Sequence, residues 1–488
     1  MTMKRIFACF LMAIATLSAF AADGKGYDIK LNVTNSSMAN QKVYLAFYFN
    51  GKTYSKDTTT LNNKGVGHFS KKTALDQGVY IVYFDANKFF DILVGADQNI
   101  DLKIDTTKLD KVVVSGAKES VGFQNLINFM GNQREKSKEL SQQYKDKKID
   151  SVKYANGQDK LAEEVEAFQK KLMDDNKGLW LEAFIKGTIP VEVPEMKEVP
   201  DSARALARYM YKKHHYFDNI NLSDPRFLRC PYFPSNVDSY MKNYLLQHPD
   251  TLYEAAVVLI EKSRYNKETF QTMCSKMINY GLTSNQMGMD ALWCKLAQKY
   301  YLGKPRQATW ADSAWVEDLR KEVKKVRYNL VGMEARDLRM QDANGVPTKL
   351  SDLTKNPEKN KFVLAYFFEP TCGHCRKTTP VLHDSVYSKY HKLGFEVFCV
   401  YTQTDKKEWQ EFVEKHKLQD WINVWDPDRE SYFWEFYDAS VTPGIYLIES
   451  KTGKIIAKKI DMPTLGMILE EELIKRPEAE AKRKSGKK

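Results

Sequence analysis

Seven cysteines in 488 residues are too few to scaffold a chain of this length with disulfides. Beyond Phe20, no segment holds eighteen uninterrupted apolar residues, so no stable membrane span is expected in the body of the chain. No fixed period repeats, which argues against a helical repeat array. One Cys-x-x-Cys occurs without a second, so a four-cysteine zinc site lacks half its ligands and no metal is expected. The net charge of +11 has no nucleic-acid motif behind it, and no nucleic-acid partner is expected. Much of the excess lies in Arg476–Lys488, with six basic and two acidic residues, a run expected to be a disordered, solvated tail over 475–488. A weak attraction to a membrane surface or an acidic partner is compatible with it.

What is present suggests a folded chain of roughly three domains, since 43% of the residues are hydrophobic. Lys4 and Arg5, the apolar run Ile6–Phe20 and the small-x-small triplet Ala19-Phe20-Ala21 read as a cleaved secretory signal over 1–21. Cys9 lies too early for a lipidation site. The expected location is periplasmic or otherwise exported, with a retained N-terminal anchor as the lesser alternative.

Residues 22–117 are strand-like. Short β-rich runs cover Tyr27–Val33, Val43–Tyr48, Val79–Phe84, Phe89–Val94 and Ile100–Ile104, and Asn50-Gly51 marks a tight hairpin. An antiparallel β-sandwich is expected. Asn32-Val33-Thr34 and Asn35-Ser36-Ser37 match glycosylation sequons by letter but read more simply as a strand end and a turn.

Residues 118–326 are expected to form an all-α domain. Phe123, Leu126, Ile127 and Met130 fall at helical spacing, as do Leu161, Val165, Phe168 and Leu172. Further helices are predicted over Asp201–Tyr216, Val237–Gln247, Thr251–Lys262, Lys267–Tyr280, Asn285–Tyr301 and Ala311–Val326, with a loop at Thr188–Pro200. His214 and His215 point about 100° apart on a helix, so a packed or solvated pair is favoured over metal ligands. The aromatic-rich stretch Tyr216–Phe233 reads as core or as a loop packing on another domain, with substrate docking as the sharper alternative. Cys230, Cys274 and Cys294 read as buried free thiols, as does Cys399 in the apolar run Phe395–Tyr401. A disulfide among the first three is the minority reading.

The informative stretch is Lys361–Pro380, KFVLAYFFEPTCGHCRKTTP. The apolar run Phe362–Phe368 reads as a buried strand, followed by Glu369-Pro370-Thr371, Cys372-Gly373-His374-Cys375 and a helix-forming segment. Two cysteines opening a helix make a reactive thiol, because the helix N-terminus supplies partial positive charge and free N–H groups to a thiolate. The spacing lets Cys375 reach back to resolve a mixed disulfide on Cys372. A protonated His374 would add charge beside that thiolate.

At these residues the chain resembles the thioredoxin-fold thiol–disulfide oxidoreductases, nearest the exported bacterial TlpA/ResA-like group. The resemblance runs from about Val331 to Ile474 and sets the expected α/β thioredoxin-like domain at 331–474. Upstream it includes Gly332, Ala335, Leu338, Asp342, Gly345 and Leu350-Ser351-Asp352-Leu353. Downstream it includes Tyr437, Val441-Thr442-Pro443, the strand Gly444–Glu449 and the turn Lys451-Thr452-Gly453-Lys454. The β-region and helical region likewise resemble the β-domains and helical spacers found ahead of such domains.

The resemblance implies roles. Cys372 would be the nucleophile and Cys375 the resolving thiol. Gly373 and His374 would tune the couple. A cis Pro443 would bring the Thr442 backbone beside the thiols for an extended substrate strand, and Phe368 and Pro370 would shape an apolar rim. Protein thiols and disulfides and an unidentified exported redox partner are the implied partners, with no cofactor. Two departures matter: Tyr366 stands where thioredoxin has a buried acid, and Thr378 stands where cytochrome-maturation reductases have a glutamate. Both weaken a cytochrome-maturation assignment. The Gly-His dipeptide resembles that of protein disulfide isomerase and favours a more oxidising couple, yet the direction of electron flow stays open. A peroxiredoxin-type peroxidase is disfavoured, because Ala365 and Glu369 occupy the positions of its proline and hydroxyl. The alternative from another class is a partner-binding module whose thioredoxin fold docks with little turnover.

Overall fold

A computed structural model of the chain describes residues 26–34 and 38–485. The expected signal at 1–21 and the second sequon lie wholly or partly outside them. The described residues form two compact units: residues up to Leu246 with Val258–Met273, and Gln247–Val257 with Cys274 onward.

The first unit opens with eight strands: β1 (Tyr27–Val33), β2 (Lys42–Phe49), β3 (Lys52–Thr60), β4 (Val66–Lys71), β5 (Gly78–Asp85), β6 (Lys88–Val94), β7 (Asn99–Ile104) and β8 (Val113–Gly116). They form two four-stranded sheets, ordered β4-β1-β7-β8 and β3-β2-β5-β6. Alternation explains them. In β1, Tyr27, Ile29, Leu31 and Val33 are buried while Asp28, Lys30 and Asn32 face out. These residues share one core with Val43, Leu45, Tyr80 and Val82 of the other sheet. Asn50 and Gly51 both have positive φ, 46° and 79°, which suits the two-residue hairpin turn joining β2 to β3.

This domain departs from a purely antiparallel one, because β1 and β7 pair in parallel, Ile29 against Ile100 and Leu31 against Leu102. Three strands escaped the sequence reading. β3 is an edge strand with no buried residue and so carries no alternation, and β4 and β8 are short and glycine-bearing.

The middle region is helical as expected. Helices Lys118–Lys145 and Ser151–Asp175 form a hairpin zipped by stacked rings, Phe129 on Phe168 at 4.0 Å and Tyr144 on Tyr154 at 4.8 Å. The first expected stripe is half covered: Phe123 and Leu126 are buried, Ile127 and Met130 exposed. Its helices fall in both compact units. Arg229 binds Glu268 and Asp76 within the first unit, while Lys295 pairs with Asp250 and Lys458 with Asp290 within the second. The aromatic stretch is a loop that packs on the β-domain of its own unit. The Asn50 N–H donates to the Leu228 carbonyl (2.8 Å), and the Arg229 guanidinium lies 5.4 Å over the Phe49 ring.

The second unit carries a seven-stranded sheet of β9 (Arg339–Gln341), β10 (Pro347–Lys349), β11 (Phe362–Phe368), β12 (Phe395–Tyr401), β13 (Ile422–Trp425), β14 (Gly444–Glu449) and β15 (Lys454–Lys458), ordered β10-β9-β13-β12-β11-β14-β15. β11, β12 and β13 run parallel. Every residue of β11 and β12 is buried, as strands covered on both faces require. Leu364, Tyr366 and Phe368 enter the core on one face, and Val363, Ala365 and Phe367 enter that on the other.

The basic tail is not disordered where it is described, since Arg476–Ser485 is helical. Its Glu-Ala-Glu-Ala-Lys-Arg run consists of strong helix formers, and Arg476 pairs one turn back with Glu472 at 2.6 Å.

Candidate active site

β11 ends at Phe368, and the chain turns through Glu369-Pro370-Thr371 into the helix Gly373–Val381, with Cys372 as its N-cap. The turn is held by the Cys372 N–H donating to the Glu369 carbonyl (3.1 Å) and by the Thr371 hydroxyl donating to the Glu369 carboxylate (2.8 Å). Pro380 lies inside the helix and cannot donate to the carbonyl four residues back. The helix widens into a π-type turn at Leu382–Tyr387 immediately beyond it.

Cys372 and Cys375 are both free thiols, the first partly exposed and the second fully buried. Residue 442 returns beside them from seventy positions downstream. The Thr442–Pro443 peptide is cis, and the Cys372 thiol donates to the Thr442 carbonyl at 3.3 Å.

The environments drive the two thiols apart. Burial alone would raise the Cys372 pKa. Hydrogen bonds from the Thr442 side chain, from the Cys375 backbone and side chain and from the His374 backbone N–H outweigh it and hold the thiol below its ordinary value. Burial dominates at Cys375 and pushes it up to about 11. At neutral pH the pair therefore offers one thiolate-prone sulfur at the surface and one protonated sulfur beneath it.

The structure moves Phe368 and Pro370 from their expected places at the rim. Gly373 and His374 are exposed at the helix start. Phe368 is not a rim residue: it is fully buried and stacks on Phe412 at 4.9 Å, because both faces of β11 are covered. Pro370 is buried as well. The exposed apolar side chain of this loop pair is Val441, 69% exposed directly ahead of Thr442. Cys230, Cys274, Cys294 and Cys399 are buried, as expected, and form no disulfide with one another.

Sequence reasoning noticed Tyr366 but missed its partner. The Tyr366 and Thr379 hydroxyls lie 2.8 Å apart in the core below the thiols. Burial, against the Thr379 hydrogen bond, holds the Tyr366 phenol well above its usual range. Thr379 is four residues past Cys375, on the same helical face, and that spacing was a readable signal.

Comparison with known proteins agrees with this geometry. Residues 360–455 match the family described as thioredoxin-like, and residues 133–333 match a domain of unknown function (DUF5106). A thioredoxin-like protein of Haemophilus influenzae is 28% identical over 143 residues, which are 29% of this chain and 74% of that protein. Among solved structures, a thioredoxin-like protein from Bacteroides caccae aligns at 18% identity, covering 58% of this chain and 98% of its own, with a TM-score of 0.41. A domain of a possible thiol-disulfide isomerase from Cytophaga hutchinsonii aligns at 28% identity, covering 33% and 97%, with a TM-score of 0.26. From the strand order, the Cys-x-x-Cys helix start and the family match together, the chain carries a C-terminal domain of the thioredoxin-like family behind a largely helical middle region.

Proposed function

We propose that the protein is an exported thiol–disulfide oxidoreductase that exchanges disulfides with protein substrates through Cys372 and Cys375. One observation carries this reading: a partly exposed, acidified Cys372 at a helix N-cap, hydrogen-bonded to the Thr442 carbonyl, above a buried Cys375 that keeps its proton.

The steps follow from that asymmetry. The Cys372 thiolate attacks one sulfur of a substrate disulfide. The substrate S–S bond breaks, a mixed disulfide forms, and the departing thiolate takes a proton. Cys375 then loses its proton and attacks the Cys372 sulfur. That releases the second substrate thiol and leaves a Cys372–Cys375 disulfide, so two electrons have passed to the substrate. The reverse sequence oxidises a dithiol. An extended substrate segment would lie along the Thr442 backbone, with Val441 in contact. No organic cofactor or metal takes part in these steps. A redox partner in the same compartment would restore the couple.

The decisive measurement is the reduction potential of the pair in glutathione or dithiothreitol buffers, read by alkylation mass shift with a Cys372→Ser control. A value near −270 mV would make it a reductant, and one between about −180 and −120 mV an oxidant or isomerase. The Cys375→Ser variant is expected to accumulate a covalent mixed disulfide with an oxidised protein substrate. A chain with no reversible couple would overturn the reading. Export is tested by sequencing the N-terminus of the protein recovered from the exported fraction, with cleavage expected after Ala21 or Ala22.

A further inference from the structure

The second unit contains a buried cation that the thiol chemistry does not use. Lys458, the last residue of β15, is 3% exposed. Its ammonium forms an ion pair with Asp290 of the helix Met289–Leu296 and donates to the Asn329 side-chain oxygen at 2.7 Å. Burial pulls its pKa down, and Asp290 opposes that. Asn329 is itself fully buried, in the connector that follows the helix Ser313–Val326. Its amide donates to the Lys325 carbonyl (2.7 Å) and to the Phe436 carbonyl (3.0 Å).

Phe436 opens the segment that ends at Thr442. The connector grips that opening with three successive residues. Arg327 pairs with Glu435 at 3.4 Å, the Tyr328 ring meets the Phe436 ring edge-on at 5.7 Å, and Asn329 binds the Phe436 carbonyl. The following residues are pinned to the same sheet edge. The Tyr437 hydroxyl donates to the Arg336 carbonyl (2.6 Å), the Asp438 N–H to the Tyr446 hydroxyl (3.0 Å), and Lys459 to the Asp438 carboxylate (2.9 Å). The segment reaches Cys372 through the Thr442 carbonyl.

We propose that Asn329, Lys458 and Asp290 are positioning residues for the Thr442–Pro443 turn, and through it for the Cys372 thiol. The helices before the thioredoxin-like domain then belong to the redox machinery. This rests on the reading of Cys372 as the reacting thiol. Asn329 and Lys458 are buried, Asp290 is half-buried, and the Lys458 ammonium bonds to both of the others, so they hold one geometry. They touch no reacting atom. Their effect runs through where the Thr442 side chain, whose hydrogen bond favours the thiolate, stands relative to the sulfur.

The test uses the full chain. Site-resolved iodoacetamide alkylation of Cys372 is followed against pH in the native protein and in Asn329→Asp and Lys458→Met. Asn329→Asp keeps the side-chain shape and the oxygen facing Lys458 but removes the donor to Phe436. In both variants the alkylation midpoint should move up, so that modification at neutral pH slows about threefold or more, a shift of about half a pH unit. Circular dichroism confirms that the fold persists. If Lys458→Met loses the native spectrum, Asn329→Asp decides alone. A native spectrum with an unmoved profile would make the knot purely structural and overturn the inference. A moved profile in a protein that has no reversible couple would sustain the positioning role while the proposed function failed.

Discussion

The two sheet regions are built from the same apolar residue types but solve opposite problems. In the N-terminal domain, strands such as β1 bury alternate side chains and turn the others to water. In the C-terminal domain, β11 and β12 bury every side chain. A strand that pairs in parallel with the next one must be joined to it by a crossover, and here a helix starts at the end of β11 and presents Cys372 with free N–H groups. The strands of the first domain end mainly in turns, and Cys230, the one thiol among the described residues of its unit, is raised to about 12 by burial. Burial thus favours the protonated sulfur in one setting, and hydrogen bonds at a helix start favour the thiolate in the other.

The largest test of that contrast is chemical. Cys372→Ser should drop disulfide exchange to background, and Cys230→Ser should leave it unchanged in the same insulin-reduction assay. Next come the cores. Phe69→Ala and Phe367→Ala both remove a fully buried ring and should each cost about 3–5 kcal/mol in urea unfolding. Only Phe367→Ala should also slow Cys372 alkylation, because that ring stands on the strand feeding the thiol.

Buried charge sharpens the comparison further. Lys458 has a counter-ion, and Asp290→Ala should cost about 3–5 kcal/mol by leaving the ammonium alone. Among the described residues no cation is bonded to Asp91 of β6: its carboxylate accepts from the Tyr48 hydroxyl at 3.1 Å, and burial raises it from 3.8 to about 6. A raised acid stabilises the fold while protonated. That contribution is complete below about pH 4 and is lost as pH climbs through 6, about 2–3 kcal/mol in all. Unfolding of the first unit should show this loss between pH 4 and 6, and Asp91→Asn should flatten it. The smallest effect is Tyr366→Phe, which strips one buried hydroxyl from Thr379 and should cost about 1 kcal/mol.

What could be read from the letters was local. β1 and β14 lie at their expected bounds, and Asn50-Gly51 makes its turn, because alternation and turn chemistry act over a few residues. The thiol pair was legible for the same reason, since strand, turn and helix start are contiguous. β3 was missed because an edge strand with neither face buried leaves no pattern. Phe368 was misplaced at the rim because its burial depends on Phe412 and Tyr401, which lie on other elements.

The sequence by itself determined the two sheet regions, the helical middle and the place of the Cys-x-x-Cys at a helix start, all written in near-neighbour patterns. Only the tertiary structure decided that Thr442 meets Cys372 across seventy residues and that Asn329 meets Lys458 across 129. It also decided that the middle helices divide between two units and that β1 pairs in parallel with β7. Such contacts join residues whose spacing carries no period. They form only where packing of the whole core brings a donor, an acceptor or a charge into a site that water has left.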